Sequence, residues 1–261
     1  MDSDLPPELP AIPPTEAAAG PALEPVKPWG FWATTGLGML IGLGYMAAQT
    51  GAAILFILCE GGLKTLRRLD LEAFMSNGKL IALTVLVSTP VVIALCVGAA
   101  YLRKGISFKE YFALRWPPRR VALRWIVAFV VYLVAVDVAL MFLKSDATEK
   151  FMANVLHTAG WAKPLLWVAV AIGAPLSEEF FFRGFLFVGW RNSWLGAPGA
   201  VIVTALLFAS IHLQYDVQGV LFVLLAGLFF GVARWKTDSL WLCVTLHSVM
   251  NIIATVAQSL Q

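Results

Sequence analysis

The stretch PLLWVAVAIGAPLSEEFFFRGFLFVGW, from Pro164 to Trp190, decides how this chain folds. A helix needs ~20 mainly apolar residues to cross the hydrocarbon of a bilayer, and this stretch exceeds that length. Near its middle it carries Glu178, Glu179 and Arg183. Ionisable groups inside a spanning helix are costly, so they face the protein interior or a water-filled cavity rather than lipid. The stretch therefore predicts a helix that needs other helices around it.

Working outward, six more apolar stretches qualify or nearly do: Trp29–Leu58, Leu80–Leu102, Val121–Leu143, Ala197–Leu213, Gln218–Ala233 and Leu240–Leu260. The fifth and sixth spans in chain order are short. The first is long enough to tilt, and its Gly38-x-x-x-Gly42 spacing, with Gly36 and Gly44 beside it, predicts close helix contact. The composition agrees: 59% of the 261 residues are hydrophobic and 13% charged, against about 25% charged in a soluble domain. The expected fold is all-α, a polytopic transmembrane helical bundle of about seven spans occupying 29–261. Residues 1–28, rich in Pro and acidic side chains, read as a disordered tail and lack the basic start of a secretory signal.

The connections add detail. Residues 59–79 predict an interfacial turn or helix. Residues 103–120 hold six basic side chains and end in Trp116-Pro117-Pro118, an aromatic anchor and a helix break before the third span. Residues 144–163 read as a polar loop holding His157, for which no direct role is expected. The excess of Lys and Arg lies on the side of the N-terminus, which predicts a cytoplasmic N-terminus and, with seven spans, a C-terminus outside. A net charge of +3 gives no sign of nucleic-acid binding. Cys59, Cys96 and Cys243 show no metal-ligand spacing and read as small buried hydrophobes.

Polar groups recur in the apolar segments. The fifth holds His212, four residues after Phe208; the seventh holds His247 and Asn251; the third holds Asp137, which reads as a structural group. Glu179 and Arg183 are i,i+4 and can pair on one helix face. Glu178 is turned about 100° away and must look between helices. A carboxylate, two imidazoles and a carboxamide from three helices suffice for peptide hydrolysis, with the carboxylate as general base on water and N–H donors at the oxyanion. The same groups could hold a metal: Glu178, His212 and His247 would be the ligands, with zinc as the candidate. No His-Glu-x-x-His motif occurs.

Three short motifs stand in order here: Glu178-Glu179-Phe-Phe-Phe-Arg183, Phe208-Ala-Ser-Ile-His212 and His247-Ser-Val-Met-Asn251. In these the chain resembles the CAAX protease and bacteriocin-processing family of intramembrane proteases, also called Abi, with a core at 164–257. The resemblance implies a bundle whose catalytic cavity opens toward the cytoplasm. It implies that Glu178 activates water with help from His212, that His247 and Asn251 stabilise the oxyanion, and that Glu179 and Arg183 orient the site. The expected activity is cleavage of a membrane-associated protein or peptide, lipidated or not, by an integral protein of a bacterial plasma membrane, without a cofactor. A proton-coupled transporter and a non-catalytic immunity or scaffold protein are the competing readings.

Overall fold

A computed structural model describes residues 26–62, 64, 70–141 and 147–260. Most of the expected N-terminal tail, the middle of the 59–79 connection and the end of the third predicted span lie outside the described residues. Every described regular element is helical. In chain order they are α1 (Phe31–Cys59), α2 (Leu71–Met75), α3 (Gly78–Tyr101), α4 (Phe108–Tyr111), α5 (Arg119–Leu140), α6 (Ala147–Ala159), α7 (163–191), α8 (Gly196–Ser210), α9 (Val217–Thr237) and α10 (Leu240–Ser259).

Six helical stretches are long and apolar enough to cross a membrane, and α8 is a shorter apolar helix. This is the expected polytopic bundle. Leu and Val side chains are exposed along α1 and α5, as lipid contact requires and water would penalise. The buried core is instead aromatic and small: Phe112, Phe129, Phe185, Phe187, Phe208 and Phe230 are fully enclosed. Gly184 lets Phe112 lie against α7, and a Cβ at Gly189 would overlap the Thr34 hydroxyl of α1. In α1 itself, Gly38 faces Leu186 and Gly44 faces Leu95, whereas Gly36 and Gly42 meet nothing. The expected Gly38/Gly42 pair thus splits, with one residue at an interface and the other off it.

Helix ends follow local chemistry. Pro118 precedes α5, as the Pro-Pro break predicts. Asn77 caps α3, Asp216 caps α9 and Ser239 caps α10, each accepting backbone N–H bonds of the first turn. Two expectations are corrected. The supposed polar loop 144–163 is largely the helix α6, because its apolar side chains recur at helical spacing; Val155 and Ala159 are buried beside Ala82, Leu166 and Ala169. The fifth span also stops early. After Ser210 the His212 N–H closes a tight turn on the Ala209 carbonyl, and Asp216 then starts α9. His212 therefore stands just beyond the end of α8 rather than inside a helix.

One junction is held by charge. Asp238 sits at the C-terminus of α9 in a left-handed conformation, φ 46°. It binds Arg115, Arg191 at 2.8 Å and Arg234 at 2.6 Å, and so ties the α4–α5 connection to the ends of α7 and α9. Burial pushes the Asp238 carboxyl up, but Arg234 and Arg191 outweigh it and hold it down at about 2. A depressed carboxyl contributes stability above its unfolded value of ~3.9 and loses it as pH falls through the folded value. Asp238→Asn keeps the tolerated backbone conformation and removes the charge. It is expected to cost about 2 kcal/mol at pH 7. The difference from wild type should narrow below pH 4 and close near pH 2, as read from unfolding in detergent.

Candidate active site

The site is built on α7, which is not a uniform α-helix. Two π-helical turns, Ala169–Gly173 and Phe180–Leu186, flank the α-helical segment Ala174–Glu179 that carries both glutamates. Such turns recur at functional sites because they re-aim side chains. The first has a cause in the sequence. The Ala174 N–H reaches back five residues to the Ala169 carbonyl. The donor that would continue this pattern to Val170 belongs to Pro175, which has no N–H. Val170 is left with an open carbonyl, and the Asn251 side chain fills it, Nδ2 donating at 2.8 Å. The nearby Gly173 carbonyl accepts from Thr89 at 3.0 Å and from Ser177 at 3.1 Å.

Glu179 and Arg183 are both fully buried and pair at 2.8 Å. A second guanidinium nitrogen donates to the Gly227 carbonyl at 2.8 Å. The guanidinium lies over the rings of Phe208 and Phe230, 4.7 and 5.2 Å from their centroids, so the charge is enclosed by cation–π contacts as well as its ion pair. The same Glu179 oxygen, Oε1, lies 3.0 Å from His247 Nδ1. Oε1 already accepts from Arg183, so the His247 Nδ1–H is the donor in this contact, which turns Nε2 toward Glu178.

Glu178 Oε2 is 3.8 Å from His247 Nε2, beyond direct hydrogen-bonding range, and is buried without a hydrogen-bond partner. The side chain faces a cavity of about 630 Å³ that His212, His247 and Asn251 also line. His212 Nδ1 lies 2.8 Å from the Phe208 carbonyl. A carbonyl can only accept, so Nδ1 carries a proton and Nε2 is the nitrogen left to face the cavity. Asn251, with one N–H committed to Val170, has one N–H left to donate.

Of the residues singled out from sequence, Glu178, His212, His247 and Asn251 share this cavity, and Glu179 with Arg183 stands behind His247. Asp137, read as structural, lies on the cavity wall. His157 is not on the cavity wall; it lines an adjoining surface groove with Lys150 and Lys163, which shares Glu149 and Gln258 with the cavity. Cys96 and Cys243 are buried as expected, while Cys59 is exposed. Tyr45 and Gln49 were missed. They line the cavity from α1, where Gln49 Nε2 reaches the Tyr45 hydroxyl at 2.5 Å. Two polar groups four apart in an apolar span were the available signal. Among the described residues, no group of three His, Cys, Asp or Glu side chains is arranged to hold a metal ion.

A membrane-embedded helical bundle with a buried carboxylate–imidazole–guanidinium chain behind an acidic cavity is the class of protein these features define. Residues 160–253 match the family model described as type II CAAX prenyl endopeptidase Rce1-like. The match encloses all six site residues. A curated relative from Escherichia coli, named an uncharacterized 24.3 kDa protein, is 37% identical over 89 residues. That alignment covers 32% of this chain and 39% of the relative. No solved structure matches the chain significantly.

Proposed function

We propose that the chain is an intramembrane endopeptidase that hydrolyses a peptide bond of a membrane-associated protein or peptide, using water activated by Glu178. The observation that carries this reading is the Glu178 Oε2 atom, buried and without a partner, beside His247 and on a cavity shared with His212. A carboxylate oxygen with no hydrogen-bond partner of its own, facing a cavity, is free to accept a proton from a water placed there.

In the proposed reaction, Glu178 takes a proton from water while His212 Nε2 accepts the water's other hydrogen and aims its oxygen. The oxygen bonds to the substrate carbonyl carbon. His247, held through Nδ1 by Glu179, turns Nε2 to the oxyanion, and the free Asn251 N–H adds a donor. Glu178 then passes its proton to the amide nitrogen, the C–N bond breaks, and an acid and an amine leave. Arg183 holds the Glu179 side chain in place, and Glu179 in turn holds the His247 ring oriented. Asn251 also holds the widened turn of α7 closed at Val170, which makes it a positioning residue as well as a donor.

No step in this scheme uses a metal. His247 and His212 each commit Nδ1 and keep Nε2, so with Glu178 they are the groups that would hold a metal in the competing scheme. Activity is expected to persist after exhaustive dialysis against EDTA with metal content verified by mass spectrometry; loss restored by zinc would instead support the metal scheme. The substrate follows from comparing new protein termini in membranes of cells carrying wild type or Glu178→Gln. Termini produced by both would end the proteolytic reading. The basic connections support a cytoplasmic N-terminus in a bacterial plasma membrane.

A further inference from the structure

The cavity's position along the bundle bears on which side of the membrane supplies the substrate. Two ends can be traced through side-chain contacts. At one end Trp29 Nε1 donates to the Ala99 carbonyl, Phe31 packs on Trp190 and Trp194, and Asp238 gathers Arg115, Arg191 and Arg234. This end holds the starts of α1 and α10 and the finish of α3, α7 and α9. At the other end Asn154 donates to Ser76, Gly78 N donates to Thr158, and Asp216 N donates to Thr148. The cavity runs from Glu178 and His247, midway along their helices, to Thr148, Glu149, Gln214, Asp216 and Gln258. It opens at the second end.

The two ends differ in charge. The first carries Arg103, Lys104, Lys109, Arg115, Arg119 and Arg120 in a single connection, relieved by one acid, Glu110. Counted by Lys and Arg, the second has seven in its connections, Lys64, Arg67, Arg68, Lys79, Lys144, Lys150 and Lys163, against ten at the first, which adds Lys27, Arg191, Arg234 and Lys236. Lys and Arg in short connections are retained in the cytoplasm, so the first end is cytoplasmic and the cavity opens away from it. Two expectations drawn from sequence, a cytoplasmic N-terminus and a cavity open to the cytoplasm, are incompatible in this fold, and the charge asymmetry favours the first. The cavity wall adds a second observation. Among the described residues it holds four carboxylates, Asp137, Glu149, Glu178 and Asp216, and no Lys or Arg. Low-dielectric walls concentrate that field and draw in cations.

We infer that the cavity admits a positively charged peptide segment from the extracytoplasmic side of the membrane. The cleavage of that segment rests on the proteolytic reading above; its side of access and its charge do not. Chemically, the substrate is an exported polypeptide, or the outer flank of a membrane protein, with Lys or Arg beside the bond to be cut.

The access half is tested with a membrane-impermeant maleimide on cells expressing the full chain. Exposed Cys59 reports on the cavity end in wild type. Gln214→Cys reports on the mouth in a Cys59→Ser background, and Lys109→Cys in the same background reports on the opposite end. Cys59 and Gln214→Cys are expected to label in intact cells, and Lys109→Cys only after permeabilisation. The reverse pattern overturns extracytoplasmic access while leaving catalysis open. The charge half is tested with a fluorescein-labelled peptide series that differs in Lys against Glu content. Binding to Glu178→Gln protein in nanodiscs, read by anisotropy, is expected to favour the Lys-rich member at least tenfold at low salt. Glu149→Lys should shrink that preference severalfold. Equal affinity, or preference for the Glu-rich peptide, overturns it. A preserved binding preference with no cleavage by wild type would sink the proteolytic reading alone.

Discussion

Glu178→Gln is expected to lower kcat/KM for any cleaved peptide by roughly 10²–10⁴-fold, the contribution of a positioned general base, or about 3–5 kcal/mol of barrier. The amide matches the carboxylate in shape but cannot accept the proton of the attacking water. Folding should be spared, because Glu178 Oε2 makes no hydrogen bond to lose. The expected result is therefore wild-type melting with turnover near background. Measured cleavage within a few-fold of wild type in the pure variant would remove Glu178 from the chemistry.

The second large effect falls on stability. Arg183→Leu takes the cation from Glu179 and the donor from the Gly227 carbonyl, both in a region closed to solvent. Breaking a buried pair by removing one partner costs about 3–5 kcal/mol, since the remaining charge stays desolvated. Arg183→Lys should recover little, because an ammonium lacks the planar fork that spans a carboxylate and a carbonyl at once. The double variant Glu179→Leu/Arg183→Leu separates the ion pair from simple crowding. It removes both charges, so it should melt closer to wild type than Arg183→Leu does, yet it should be inactive because His247 loses the carboxylate at Nδ1. A single variant as stable as wild type would show that this pair does not hold α7 to α9 and α10.

Much of this was legible before any coordinates. Glu179 and Arg183 pair across one turn, as their spacing predicts. Glu178, on the next face, looks into the space between helices. Local spacing failed where a distant partner or a special residue intervened. The 144–163 segment reads as polar because its charged face is conspicuous, whereas its role is set by the narrow apolar face laid on α3. Asp137 reads as structural because nothing nearby in sequence shares its polarity; its companions on the cavity wall, Glu149 and Asp216, come from other elements. The widened turn at Val170 was readable in principle from Pro175, but its satisfaction by Asn251, 81 residues away, was not.

By itself the amino-acid order determined membrane residence, the approximate spans, the basic end and the set of candidate site residues. Those properties depend on composition and on periodicity within one helix. The tertiary structure alone decided that α8 ends short of His212, that His247 shares Glu179 with Arg183, that Asn251 closes a gap in another helix, and that the cavity opens at the end opposite the basic one. Each depends on which helices become neighbours and at what depth, and that is set by summed contacts between segments distant in the chain, which no local pattern records.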